Sequence, residues 1–381
     1  MTYGRRESQA DGTSTSLRRM LARRPLLRRL GTNGWRRLKR VVEGSQRAEL
    51  EYWIDFMLQH TTRAERRMLT QAYDDTVTLP PDADVELSDS SAHLLALRKA
   101  YASSGLPVTV PSVWNDHLIG SELDLRYFRG ENPYVWNYRD VWNHREWPRS
   151  VELKYFIFAE YVRSRDSRNL LEHLGEDGAF GCWTFQYPGY PRVSRDLLDS
   201  VNEILFLDRH LGILDRPRLR VLDIGAGYGR TAHRMVRAAS DVDDYCCVDA
   251  IPESTFVCEY YLRHRGCMPP ARVVPLHELD GALQRGRFDL ALNIHSFSEC
   301  TYDAISWWLD WLERLRVPNL LIVPNDRDEL LAFESDGTRR DFRPLLEAAG
   351  YRRSVCEPVI ADAAVQELVR VQDQFLLFHR A

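Results

Sequence analysis

The chain has 381 residues, 44% hydrophobic and 28% charged, with a formal net charge of −4, values of an ordinary globular protein with a sizeable core. They exclude wholesale disorder, and no apolar run approaches the ~20 residues that a membrane-spanning helix needs. Seven scattered cysteines include no C-x-x-C pair, which gives a zinc ribbon no support and fits reduced thiols in a cytoplasmic protein.

Residues 1–48 read as a basic helical arm. Its first 47 residues hold 13 Lys+Arg against three Asp+Glu, so the other 334 residues carry −14. Arg18-Arg19, Arg23-Arg24, Arg28-Arg29 and Arg36-Arg37 recur at about helical spacing. Such an arm fits contact with nucleic acid or an anionic surface, or equally a solvated helix packing on its own domain. The acidity of the remaining chain favours the second reading.

Residues 49–204 read as a mainly helical region that contacts substrate, covers the site or dimerises. Leu50, Trp53, Ile54, Met57 and Leu58 share one helix face, and helical pattern extends to about Ser104 around a loop at Leu79–Asp89. Tyr127, Phe128, Tyr134, Trp136, Tyr138, Trp142 and Trp147 follow, interleaved with polar residues including Arg129, Asn132 and His144. Aromatic faces beside hydrogen-bonding side chains suit a saccharide, and suit an aromatic core or dimer contact as well. Helices are expected over Lys154–Gly175 and Arg195–Leu211, the latter capped by Ser194.

From residue 205 to 381 the texture is α/β. Strands are expected at Arg220–Ile224, Tyr245–Asp249, Arg272–Pro275, Phe288–Ile294, Leu320–Pro324, Arg353–Val359 and Gln374–His379. Helices at Thr231–Ala239, Ser254–His264 and Tyr302–Leu315 separate several of them. This alternation predicts a Rossmann-like parallel sheet covered by helices on both faces. Trp307, Trp308 and Trp311 are expected to pack in it.

The first of these strands runs into Asp223-Ile-Gly225-Ala-Gly227-Tyr-Gly229. Glycines there let the backbone turn tightly and approach a ligand at the carboxyl edge of the sheet. Asp249 ends the second strand, twenty residues after Gly229, where a carboxylate accepts hydrogen bonds from ribose hydroxyls. Position 230 is Arg, so the dinucleotide spacing G-x-G-x-x-G is not met. The D-x-G-x-G-x-G pattern resembles motif I of class I S-adenosylmethionine-dependent methyltransferases. That resemblance implies S-adenosylmethionine as cofactor, held by Asp223, Gly225, Gly227, Gly229 and Asp249. It also implies that the two final strands pair as an antiparallel hairpin.

The fourth strand ends in Asn293-Ile-His295-Ser-Phe-Ser-Glu299. Enzymes that methylate amino groups of nucleic acids carry a proline pair at this edge, and none is present here. A histidine there suits removal of a proton from an alcohol, and equally a core hydrogen bond. Glu299 would orient His295 or act as the base itself. Together with Phe128–Trp136, Leu174–Gly181 and Ser194–Glu203, this segment resembles the sugar O-methyltransferase family over roughly residues 110–381. The resemblance implies a saccharide or glycoside acceptor. Trp136, His144 and Asn325 are then candidate substrate contacts. Arg195 is a candidate partner for the cofactor carboxylate, or forms a structural pair with Asp196 or Asp199. Magnesium is an optional cofactor, with His144, His295, Glu299 and Asp326 as first candidate ligands. A homodimer is compatible with this reading. An RNA methyltransferase using the arm, and a non-catalytic cofactor-binding protein, are the alternatives.

Overall fold

A computed structural model describes residues 73–74, 78–114, 119, 124–129, 149–283, 287–325, 327–369 and 371–380. The basic arm, the helix face at 50–58, Trp136, His144 and Asp326 lie outside the described residues. In chain order the elements begin with β1 (Tyr73–Asp74), α1 (Ala83–Glu86), α2 (Ala92–Ala102), α3 (Arg149–Arg165) and α4 (Leu170–Leu174). Next come β2 (Thr184–Gln186), β3 (Arg192–Val193), α5 (Arg195–Leu211), β4 (Leu219–Ile224), α6 (Arg230–Ala238), β5 (Val242–Val248) and α7 (Pro252–His264). They continue with β6 (Ala271–Val273), α8 (Leu279–Leu283), β7 (Leu290–Ile294), α9 (Tyr302–Arg314), β8 (Asn319–Val323), β9 (Leu331–Phe333) and β10 (Arg339–Asp341). The last are α10 (Arg343–Ala348), β11 (Tyr351–Pro358), α11 (Ala363–Val369) and β12 (Gln374–Arg380).

The main sheet has the order β11-β12-β8-β7-β4-β5-β6. Strands β6, β5, β4, β7 and β8 pair in parallel, and β12 runs antiparallel to both β8 and β11. All seven expected strands are present, and the final two form the expected antiparallel pair. The central strands are apolar runs because both faces are covered by helices. Val221, Leu222 and Ile224 of β4 and Leu320 and Leu321 of β8 are fully buried. Order reverses between β4 and β7, which opens a crevice outside their carboxyl ends.

Helix α5 has the predicted bounds for identifiable reasons. Ser194 Oγ accepts the N–H of Leu197 at 3.0 Å, and Gly212 ends the helix in the left-handed conformation at φ +63°. Its buried face includes Leu197, Leu198, Val201 and Ile204. The helix runs continuously through residue 204, where the α/β unit was expected to begin. The helix expected over Lys154–Gly175 is two helices. Asn169 takes φ +59°, and the Asp166 carboxylate accepts the N–H groups of Leu170 and Leu171 at 2.8 and 2.9 Å, which starts α4. A three-stranded sheet of β1, β2 and β3 and a β9–β10 hairpin were not anticipated. Their strands of two or three residues are too short for a period-2 signal.

A buried ion network joins the helical region to the α/β unit. Arg129 Nε donates to Asp196 Oδ2 at 3.1 Å, and its NH2 donates to Glu176 Oε2 at 2.8 Å. Arg234 NH2 reaches the same two carboxylates at 2.9 and 3.2 Å. Ser194 Oγ donates to Glu176 Oε2 at 2.6 Å, and Tyr228 Oη donates to Asp196. Phe128, Phe180, Tyr228 and Tyr261 pack beside it as stacked and edge-on rings. The network thus ties together segments around residues 129, 176, 194–196 and 228–234, which lie far apart in the chain.

Candidate active site

The glycine turn after β4 contains three left-handed residues with three different surroundings. At Gly225 (φ +75°) a Cβ would lie 2.1 Å from Ser296 Oγ, so this glycine permits close packing against the turn after β7. At Gly229 (φ +86°) a Cβ would meet Cys258 Sγ at 2.9 Å and Leu262 Cγ at 3.1 Å, so this one brings α6 onto α7. At Gly227 (φ +57°) nothing lies within 4 Å of the Cβ position. Gly227 alone of the three leaves backbone facing open space, as a ligand cradle requires.

That space is a cavity of about 730 Å³, within the ~300–1,000 Å³ typical of small-molecule sites. Asp223, Gly225, Gly227, Asp249, Arg195, His295, Glu299 and Asn325 all line it. Gly229 is set back in the helix contact just described.

Asp249 is 8% exposed. Its Oδ2 accepts the N–H of Gly227 and its Oδ1 the N–H of Ile251, both at 2.9 Å. Each oxygen keeps lone-pair capacity for a further donor. Burial pushes its pKa up to about 7, against the opposing pull of those two N–H groups. Asp223 is also buried and accepts Tyr245 Oη at 2.9 Å, and burial again pushes it up to about 7.

The ends of β4 and β7 are stitched by Asn293. Its Nδ2 donates to Ile224 O at 3.0 Å and to Ser296 Oγ at 2.6 Å, while its Oδ1 accepts the N–H of Phe297 at 2.9 Å. This turn holds His295 at φ +69°, with its N–H donating to Val323 O at 2.7 Å. With ψ −36° it lies outside the left-handed helical well, a strain of about 1–3 kcal/mol, so the surrounding bonds over-determine it. The imidazole Nδ1 is buried and has no hydrogen-bond partner. Burial, reinforced by the positive charges of Arg230 and Arg195, pushes the ring down to about 4, and the neighbouring Asn325 side chain partly opposes this.

Glu299 is committed through both oxygens. Oε1 accepts Asn325 Nδ2 at 2.9 Å and Oε2 accepts Trp114 Nε1 at 2.7 Å. Arg195 lines the cavity with its Nε on Asp199 Oδ2 at 2.5 Å and its guanidinium 5.6 Å from the Phe158 ring centre. Trp308 and Trp311 are buried as expected, and Trp308 also reaches the cavity wall. Among the described residues, no three His, Cys, Asp or Glu side chains converge as a metal site would require.

Sequence reading missed three contributors: Trp114, Asn293 and the buried Asp196. Asn293 lay inside the quoted strand, and its role as a stitch follows only from the adjacency of β4 and β7. Trp114 belongs to a segment with no periodic signal.

No protein-family model matches the chain, and no curated protein matches it. Solved structures do. A SAM-dependent methyltransferase from Aquifex aeolicus is 17% identical, covers 47% of this chain and 88% of its own, and has a TM-score of 0.35. An S-adenosylmethionine-dependent methyltransferase from Mesorhizobium loti is 14% identical, covers 47% and 98%, and scores 0.34. The cyclase SpnF is also 14% identical, covers 61% and 96%, and scores 0.34.

Proposed function

We propose that this protein is an S-adenosylmethionine-dependent O-methyltransferase acting on a hydroxyl of a sugar or glycosylated small molecule. One observation carries the proposal. A single cavity joins the open backbone cradle at Gly227, the two-oxygen acceptor Asp249 and the held imidazole of His295. The cofactor supplies, when bound, a methyl group on a positively charged sulfur. Gly227 gives close backbone approach, and Asp249 receives ribose hydroxyls on its spare lone pairs. Arg195 offers charge to the amino-acid carboxylate. The chain's remaining task is to hold the acceptor oxygen in line and take its proton as the C–O bond forms. His295 takes that proton, and Glu299 works through the contacts it already makes.

Two expected results follow. Because the ring is pushed down to about 4, His295 is neutral and able to accept a proton throughout the neutral range. His295→Ala is therefore expected to lower kcat by about 100-fold, while affinity for S-adenosylhomocysteine stays the same. The wild-type kcat at saturating cofactor should show no acid limb attributable to this histidine above about pH 5. Transfer of labelled methyl into a saccharide fraction of a host extract tests the proposal as a whole. Label in RNA alone would reject it.

Asp249 sets the pH dependence of cofactor binding. Hydroxyl donors favour the ionised carboxylate, so below pH 7 binding must first release a proton. Affinity for S-adenosylhomocysteine should fall by roughly tenfold per pH unit below 7. Calorimetry in buffers of different ionisation enthalpy should show proton release there and none at pH 8.5. Asp249→Asn should bind more weakly and with a shallower slope, the remainder belonging to Asp223 in the same cavity.

A further inference from the structure

Residues 107–114 form a strap along the cavity wall, which Val108, Val110, Ser112 and Trp114 line. A single 3-10 turn at Pro107–Thr109 packs against α9, and Ser335 Oγ donates to Pro111 O at 2.8 Å. The far end is fastened at one residue. Ser112 Oγ donates to the main-chain oxygen of Glu299, and Trp114 Nε1 donates to its carboxylate at 2.7 Å. The same carboxylate accepts Asn325 Nδ2, and the Asn325 side chain lies against His295. Glu299 therefore sets the strap's tryptophan relative to the imidazole.

The chemistry of this arrangement is specific. Trp114 lines the cavity, and the polar atom of its side chain is already taken by Glu299. What it offers a ligand is carbon surface. Val108, Val110 and Trp308 add more carbon surface to the same cavity, while His295 and Asn325 add polar groups. A flat apolar ring surface beside hydrogen-bonding groups fits a molecule with a C–H face and a hydroxyl-bearing edge. A saccharide ring has that form.

We infer that Trp114 is the acceptor-binding residue of this enzyme, the surface on which a sugar ring lies, and that Glu299 is the positioning residue that holds it. This assignment rests on the proposed methyl transfer and adds to it the residue that selects the acceptor. Carbon contact with an indole contributes mainly by area removed from water. Losing the ring should therefore cost more than losing its N–H bond.

The test uses the full chain, labelled S-adenosylmethionine and a protein-free small-molecule extract of the host, serially diluted. In Trp114→Ala the extract concentration giving half-maximal transfer should rise at least about tenfold. In Trp114→Phe it should rise roughly two- to tenfold, the size of one lost hydrogen bond, and in Glu299→Gln by less, because the amide oxygen can still accept the indole N–H while the charge is lost. The two changes combined should cost no more than Trp114→Phe alone, since without the indole N–H the charge at 299 has no contact with the ring to strengthen. At pH 8.5, where Asp249 is ionised whatever the charge at 299, affinity for S-adenosylhomocysteine should be unchanged in all of them. Saturation-transfer NMR on the S-adenosylhomocysteine-bound enzyme with the same extract should show ring C–H protons in contact, lost in Trp114→Ala.

A Trp114→Ala enzyme with wild-type half-saturation and intact ring-proton signals overturns the assignment. Should that variant fail to bind S-adenosylhomocysteine, Trp114→Phe and Glu299→Gln decide by the same measurements. Absence of any labelled product from the wild type, despite S-adenosylhomocysteine binding, rejects the methyl-transfer reading instead.

Discussion

Replacing Gly227 with asparagine should abolish useful cofactor binding and leave the fold intact. Asparagine tolerates the left-handed conformation that φ +57° requires. No atom lies within 4 Å of its Cβ position, so the root of the added side chain stands in open space. It meets the ligand instead, in the space where backbone was to approach. A loss of about 3–4 kcal/mol in binding corresponds to a 100- to 1,000-fold weaker S-adenosylhomocysteine complex. Calorimetric titration reads this, and an unchanged melting temperature confirms the fold. Normal binding by this variant would remove Gly227 from the cofactor site. Gly225→Ala provides the contrast. Its methyl would sit 2.1 Å from Ser296 Oγ and 2.4 Å from Ser296 Cβ, so the turn after β7 must move. That change damages the protein itself, through overpacking and a left-handed alanine.

Arg129→Met should be the most destabilising of the substitutions considered. The Arg129 guanidinium is wholly buried and shared between Glu176 and Asp196, both also buried. Burial alone would raise the pKa of both acids. The charges of Arg129 and Arg234 outweigh it and hold both below their ordinary values. Removing Arg129 leaves two buried carboxylates sharing one cation, at a cost of about 3–5 kcal/mol. Depressed acids contribute stability that is present above their unfolded pKa, near 4, and lost as pH falls through the folded value. The gap between wild type and variant should therefore be full at pH 7 and narrow below about pH 4. Urea unfolding at several pH values measures it. A gap that widened on acidification would mean that these acids are not held ionised by Arg129.

The same network explains what was hard to read beforehand. Arg129, Glu176 and Asp196 lie in the three segments that carry the family resemblance and Arg234 in a fourth, but no local pattern marks these charges as buried. Only their convergence makes them a buried core of ions. Trp114 is a similar case. Its role depends on Glu299, 185 residues away in the chain, and no local pattern records that contact.

Much of the fold was local information. The central strands β4, β7 and β8 were legible because short apolar runs bounded by turn residues are buried on both faces in a parallel sheet. Helix α5 was legible because Ser194 and Gly212 are a cap and a stop whose chemistry acts within one turn. The spacing of Gly225, Gly227, Gly229 and Asp249 marks a ligand edge in the sequence alone. The tertiary structure divided the labour among those glycines. One admits Ser296, one admits helix α7, and one faces open space, because a glycine's purpose is set by the atoms that approach it from elsewhere. It also decided that Glu299 is a tether held by Trp114 and Asn325, and that burial beside two arginines keeps His295 neutral. Periodicity, caps and turns act over a few residues and survive in sequence. Charge, burial and cavity shape arise when distant segments meet, and are properties of the folded chain alone.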